Sequence, residues 1–330
     1  MTRVAIQPRM LQWARERAGL SQADLVGRFP KLPDWEADRL QPTFKQLQDF
    51  AHVTHAPFGY LFLPEPPEEV MPVPDFRTLV NQAPDKISPN LRDTLYLMQQ
   101  RQGWLRDERL EQGASAQPFV GSARLTDDPA AVGRDMRRQL TLHEDWAETS
   151  RNWGEAVGRL REAIEAQGVM AIINGVVGNS TRRLLDVEEF RGFALVDELA
   201  PLIFVNGADA KSAQMFTLAH ELAHIWLGKT GEGLSGFAAL HPDGGEVETF
   251  CDRAAAEFLV PKTAMQAAWP EVKRDPAPFE ALARRFKVSP VVAGRRAMDL
   301  RLVARDVFFA FISRIHATGI RKETAFCQWG

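Results

Sequence analysis

The chain has 330 residues, of which 45% are hydrophobic and 25% charged, and its formal net charge is −3. This composition is typical of a globular protein with a buried core, and the nearly balanced charge excludes a protein whose whole surface binds a polyanion. The longest apolar runs are far shorter than the ~20 residues of a membrane helix, so we expect no membrane partner. The sequence shows no signal-peptide pattern and only two cysteines, which favours a cytoplasmic location.

Residues 1–66 are predicted to form a compact group of short helices. The first helix begins at Pro8, and Ser21 is expected to cap a second helix that runs to Phe29. The proline-rich acidic stretch 65–74 must be extended, and we interpret it as a linker.

Residues 67–160 are predicted to consist of this linker and a helical region. Ser88 and Asp128, each followed by a proline, begin two helices, and a third helix runs from about Ser150 to Gln167. This region contains no motif that carries chemistry, so we expect a helical layer that covers the next domain.

Short apolar runs that are typical of strands appear after Gly168. Residues 169–173 are predicted to form a buried strand, and residues 193–196 and 202–205 an antiparallel pair. The core that we predict over residues 161–265 therefore begins with a small antiparallel sheet.

Two helices follow the predicted sheet. Asp209 is expected to cap a helix that ends at Leu227, and after a glycine-rich loop a second helix runs from Glu246 to about Leu259. Residues 266–330 return to a helical pattern. The fold class is therefore α+β and mostly helical.

The stretch His220-Glu-Leu-Ala-His224 lies on the first of these two helices and carries the clearest chemical signal. Residues four apart on a helix share a face, so His220 and His224 can reach one metal ion. Zinc in a catalytic site takes three protein ligands and keeps one position open. Glu221 can face that open position and act as general base. The alternative is a pair of histidines packed on an ordinary helix.

A carboxylate on the second helix can supply the third ligand. Glu248 is the predicted ligand, because Asp252 lies one turn later on the same face and can accept the N–H of a ligand histidine. Glu246, near the helix start, and Glu257, half a turn out of phase with Glu248, are the competing candidates. A solvated helix carboxylate is the alternative for each of them.

The sequence resembles the ImmA/IrrE family of metallopeptidases in three features. They are the strand pair, the segment Phe216–Leu227, and the pattern Glu248-x-x-x-Asp252 followed by an apolar run that ends in Pro261. The resemblance covers about residues 160–300. It implies a zincin-like domain in which the two histidines and Glu248 hold one Zn²⁺. It also implies cleavage of a DNA-binding repressor that controls a stress regulon or a mobile element, in a cytoplasm of bacterial or phage-derived origin.

One part of a peptidase site lacks an obvious residue. Zinc peptidases usually stabilise the oxyanion with a Tyr or His, and Tyr60 and Tyr96 lie far upstream. His241, in the loop between the two helices, is the candidate, with a plain surface histidine as the alternative. Cys251 is interpreted as a buried small hydrophobe. The segment Gly231–Gly236 matches a dinucleotide-binding pattern by letter, but it follows a helix instead of a strand.

The N-terminal region resembles a helix-turn-helix domain of the Cro/C1 (XRE) type. The match rests on Ala18–Gln22, Trp35-Glu36 and Pro42-Thr43. Residues 29–35 are about four residues too short for the usual turn and DNA-reading helix, and they contain two prolines. Because residues 1–66 also hold eight basic and seven acidic residues, we expect a scaffold that docks a protein partner, with DNA binding as the alternative.

A second basic region spans residues 271–305, with nine basic and four acidic residues. This surplus is suited to contact phosphate or an acidic substrate segment, and a solvated helical face is the alternative.

The sequence predicts four segments and one main function. The segments are a helix-turn-helix-like domain (1–66), a linker and helical region (67–160), a zinc peptidase core (161–265) and a C-terminal helical region (266–330). The predicted function is a zinc endopeptidase that binds a repressor or antitoxin-like protein in extended form beside the strand pair. The alternative is a transcriptional regulator or antitoxin-like binding protein with a structural or vestigial zinc site.

Overall fold

A computed structural model of the chain describes residues 3–67, 87–228 and 245–317. The chain divides into two units, Met1–Tyr96 and Leu97–Gly330. The first unit therefore extends beyond residue 66, where the predicted first domain ends.

The described residues of the first unit are mainly helical. Its elements are α1 (Pro8–Arg17), α2 (Gln22–Val26), α3 (Leu32–Glu36), α4 (Phe44–Thr54) and a 3₁₀ helix (Phe58–Phe62).

Local sequence explains why the helices of this unit are short. The Ser21 hydroxyl accepts a hydrogen bond from the Asp24 N–H, and the Asp24 carboxylate accepts one from the Ser21 N–H, which fixes the start of α2. The helix ends at Val26 instead of the predicted Phe29, because Gly27 weakens it and Pro30 cannot continue it. The next helix, α3, has five residues, so no helix of normal length forms in this segment.

The second unit contains a longer series of helices around a small sheet. They are α5 (Pro89–Glu111, which begins in the first unit), α6 (Pro129–Gln139), α7 (Trp153–Ala166), α8 (Lys211–Leu227), α9 (Glu246–Leu259), α10 (Lys262–Val272), α11 (Pro278–Phe286), α12 (Pro290–Asp299) and α13 (Arg305–Ala317). None of these described helices combines the length and the apolar character that crossing a membrane requires.

The main sheet has three strands in the order β1 (Met170–Asn174), β5 (Leu202–Asn206) and β4 (Gly192–Leu195). Strands β4 and β5 are antiparallel, as predicted, but β1 runs parallel to β5. The prediction of an antiparallel sheet was therefore wrong for β1. A small hairpin, β2 (Val176–Val177) and β3 (Ser180–Leu184), follows β1, and β5 then lies between β1 and β4.

The sheet packs against α8, the helix that carries the two histidines. Residues 214–227 of this helix are all buried, so the helix is covered on every side. The prediction that Asp209 caps α8 was wrong, since the N-cap is Ala210 and the Asp209 carboxylate pairs with Arg191 at 2.7 Å. At its C-terminal end, the carbonyls of Ile225 and Trp226 accept hydrogen bonds from backbone N–H groups of residues 121 and 123.

Helix α9 lies between α8 and α6. Helix α6 approaches it closely at Gly133, where an added Cβ would lie 2.4 Å from the Ala254 carbonyl oxygen. The helical region upstream of the sheet thus covers the core, as predicted, and it also fixes the position of α9.

Candidate metal centre

Three side chains from α8 and α9 converge on one point. His220 and His224 lie one turn apart on α8, and Glu248 lies in the first turn of α9. The two Nε2 atoms are 3.0 Å apart, and the Glu248 carboxylate oxygens lie 3.0 Å from His220 Nε2 and 3.5 Å from His224 Nε2. Their donor atoms all lie within 4.8 Å of one another, and the three residues are 6–8% exposed.

This donor set fits a catalytic zinc ion. Two imidazole nitrogens and one carboxylate oxygen are a common set of protein ligands in zinc peptidases, and they leave a coordination position open. Of the three candidate carboxylates, Glu248 is the one that lies beside the histidines. Glu246 is exposed, and Glu257 is buried in an ion pair with Arg296.

Each histidine ring also has a contact at its second nitrogen. His220 Nδ1 lies 2.8 Å from the Asp252 carboxylate. His224 Nδ1 lies 3.2 Å from the Cys251 sulfur. Cys251 is buried, as predicted, but its polar contact was missed; its spacing from Glu248, three residues along the helix, is the signal that points to it.

Glu221 is buried beside these ligands without a hydrogen-bonding partner for its Oε2 atom among the described residues. Burial, together with the nearby Glu248 and Asp252 charges, raises the pKa of Glu221 to about 8, although His220 opposes the shift. A carboxyl with a raised pKa is suited to take up and release a proton near neutral pH.

The two histidines differ in protonation in the metal-free chain. Burial lowers the pKa of His220, but the Asp252 and Glu248 carboxylates outweigh it and raise that pKa well above 6.5. Burial and the neighbouring His220 lower the pKa of His224 to about 3, against the opposing effect of Glu248. A divalent cation must therefore displace one proton from His220 to bind at both rings.

Strand β4 approaches α8 closely at Gly192. An added Cβ there would lie 2.5 Å from Thr217 Cγ2, 2.8 Å from the Phe204 carbonyl oxygen and 3.4 Å from Glu221 Cγ. Glycine is therefore needed at this position for the strand to reach the site. In the described three-stranded sheet β4 is an outer strand.

Two sequence predictions near the site fall outside the described residues. They are the candidate oxyanion-stabilising residue His241 and the glycine-rich segment Gly231–Gly236. The role of His241 stays a prediction.

The basic region 271–305 contains several arginines with partners inside the second unit. Arg296 is buried against Glu257, and Arg285 pairs with Glu148 at 3.0 Å and with Glu271 at 2.9 Å. The surplus of basic residues in the sequence thus overstates the positive charge that this region offers to a partner.

Residues 165–298 match the family model of the IrrE N-terminal-like domain, a peptidase family. The matched segment contains the strands of the main sheet, both histidines, Glu221, Glu248 and Asp252. No curated protein matches the chain. The family match suggests metallopeptidase activity and agrees with the geometry of the three ligands.

Proposed function

We propose that this chain is a zinc-dependent endopeptidase in which His220, His224 and Glu248 hold the ion. The observation that carries the proposal is the convergence of these three donor groups within 4.8 Å. Three protein donors support a catalytic ion in preference to a structural one, because structural zinc sites have four protein ligands. The buried Oε2 atom of Glu221, which has no hydrogen-bonding partner among the described residues, lies beside these donors.

Each residue of the site has a distinct part in peptide hydrolysis. When bound, zinc supplies Lewis-acid chemistry for attack on the scissile carbonyl. Glu221 accepts a proton from the attacking water and passes it to the leaving nitrogen. Asp252 accepts the Nδ1–H of His220 and thereby keeps Nε2 of that ring directed at the ion.

The substrate binds in extended form along β4. The Asn206 N–H donates to the Arg191 carbonyl at 2.7 Å, so Arg191 faces β5 and the backbone groups of Gly192 and Ala194 face away from it. An extended peptide can pair with these groups as a fourth strand. This pairing brings its backbone close to α8 at Gly192, where an added Cβ would lie 3.4 Å from Glu221 Cγ.

The family resemblance and the first unit support one substrate class. The resemblance implies cleavage of a helix-turn-helix repressor in a stress response or in the control of a mobile element, within the cytoplasm. Helix α3 has five residues, and its Glu36 carboxylate is paired with Arg15 at 2.8 Å and Gln22 at 3.0 Å. These features support a first unit that docks a protein partner instead of reading DNA bases.

Metal analysis and one substitution test the proposal. The purified chain should contain about one zinc. Glu248→Gln should lose it, whereas Glu246→Gln, a change two residues earlier at an exposed position, should retain it. If the purified wild-type protein contains no zinc although both histidines are intact, the proposed zinc peptidase activity is contradicted.

Proteolysis is tested by co-expressing the chain with the repressors encoded beside its gene. The wild type should produce a repressor fragment, and Glu221→Gln should bind zinc and fold but produce none, because the proton acceptor is gone. If zinc is bound and Glu221→Gln behaves as the wild type does, the chain is a regulator or an antitoxin-like binding protein with a structural ion.

A further inference from the structure

The outer nitrogens of the two ligand histidines contact two neighbouring residues of α9. Nδ1 of His220 faces the Asp252 carboxylate at 2.8 Å, and Nδ1 of His224 faces the Cys251 sulfur at 3.2 Å. Glu248, Cys251 and Asp252 lie at positions i, i+3 and i+4 of the helix, so one helical face supplies the third ligand and both outer contacts.

The Cys251 side chain is placed for this contact and is shielded from solvent. It has 0% exposure, and its neighbours Phe250, Ala254 and Ala255 are buried apolar residues. A cysteine in such a position normally packs as a small hydrophobe. The distance of 3.2 Å to a ring nitrogen is instead that of a hydrogen bond to sulfur.

A histidine that binds a cation through Nε2 carries its proton on Nδ1 and needs an acceptor there. The acceptor fixes the orientation of the ring and the side on which the proton sits. For His220 a carboxylate fills this role. For His224 the group at the corresponding place is the sulfur of Cys251, a weaker acceptor.

We propose that Cys251 is a positioning residue of the metal centre, whose sulfur accepts the Nδ1–H of His224 and directs Nε2 of that ring at the ion. This inference rests on the proposed function, because it requires that His224 binds a metal. It assigns no nucleophilic or redox chemistry to the thiol.

Two substitutions distinguish the role of Cys251 as a hydrogen-bond acceptor from its role in packing. Cys251→Ala and Cys251→Ser both remove the sulfur and its volume, but serine retains a group that accepts a hydrogen bond. We expect Cys251→Ala to weaken zinc binding by about tenfold or more, and Cys251→Ser to remain within about threefold of the wild type. Zinc affinity is measured by competition with a chromophoric chelator, on the full chain.

Two further measurements exclude a purely structural role. The absorption spectrum of the Co²⁺-loaded chain should change in Cys251→Ala and resemble the wild type in Cys251→Ser, since the spectrum reports ligand geometry. The melting temperatures of the metal-free variants should be similar to each other.

These measurements distinguish a failure of the inference about Cys251 from a failure of the proposed function. Zinc bound equally well by wild type, Cys251→Ala and Cys251→Ser would overturn the inference alone. Equal losses of affinity in both variants, with equal losses of metal-free stability, would also overturn it, because packing would then explain the effect. A wild type that binds no zinc would overturn the metal centre itself.

Discussion

Among the described residues, the Oε2 atom of buried Glu221 has no hydrogen-bonding partner, and we expect the raised pKa of this carboxyl to make the metal-free protein less stable at high pH. The unfolded carboxyl ionises with a pKa near 4.5, whereas the folded one ionises at about 8. Between these values the unfolded state loses its proton first, so the free energy of unfolding falls as pH rises through this window. Above the folded pKa the loss is complete.

Glu221→Gln should therefore stabilise the metal-free chain at pH 8 and leave it nearly unchanged near pH 4.5, because glutamine does not ionise. The measurement is the melting temperature as a function of pH in the presence of a chelator. Glu246→Gln, at an exposed position on α9, is the matched control and should show no such pH-dependent gain. A variant that follows the pH dependence of the wild type would show that Glu221 is not the group responsible.

Helical periodicity predicts which residues of the candidate metal site share one face of each helix. His220 and His224 share a face by their spacing, and Glu248 and Asp252 do so on the next helix. The contact of any α9 side chain with a histidine of α8, including that of Cys251 with His224, does not follow from this spacing. It depends on how closely α8 and α9 cross, and no local pattern in the sequence encodes that crossing.

At the scale of elements, local sequence predicts only part of the strand pairing in the sheet. Strands β4 and β5 are joined by a short turn, so their antiparallel pairing follows from local sequence. The parallel pairing of β1 with β5 joins Met170 to Leu202, and the intervening chain includes β2, β3 and β4. The continuous apolar runs of β1 and β5 do not specify which distant strand becomes the neighbour.

Helix α9 is held in place by a buried charged pair at the end opposite to Glu248. The Glu257 carboxylate pairs with the Arg296 guanidinium of α12, which also donates to the Val260 carbonyl at 3.0 Å. Arg137 of α6 donates to the Glu257 and Phe258 carbonyls at 2.8 and 3.0 Å. These contacts tie the C-terminal end of the ligand helix to two other helices.

Arg296→Ala should lower the free energy of unfolding by about 3 kcal/mol, because it removes the nearer charge partner of the buried Glu257 carboxylate and leaves Arg134 at 3.9 Å. The adjacent Arg295 forms a more exposed pair with Asp299 at 3.0 Å, and Arg295→Ala should cost no more than about 1 kcal/mol. Urea unfolding of both variants measures the difference. Equal effects of the two substitutions would contradict the structural role of the buried pair.

At the scale of the whole molecule, charge and the geometry of the first unit oppose DNA recognition. The chain carries a net charge of −3, and its first 66 residues have eight basic and seven acidic side chains. Affinity for DNA depends on contacts of basic residues with phosphates, and base readout in this motif depends on a helix that enters the major groove. The five residues of α3 are little more than one turn, and Arg15 is engaged by Glu36.

We therefore expect the full chain to form no sequence-specific complex with duplex DNA at about 0.15 M salt, and any weak binding at low salt to be independent of sequence. Fluorescence anisotropy with labelled duplexes from the region around its gene, over a range of salt concentrations, makes the measurement. The matched measurement uses as ligand a helix-turn-helix repressor that the wild type cleaves on co-expression, and its binding to the Glu221→Gln chain should persist at that salt concentration. The contrary outcome is a DNA complex that prefers one duplex and is lost when residues 1–66 are removed. It would show that this segment recognises DNA sequence despite the five-residue α3, and would contradict the expectation that it docks a protein.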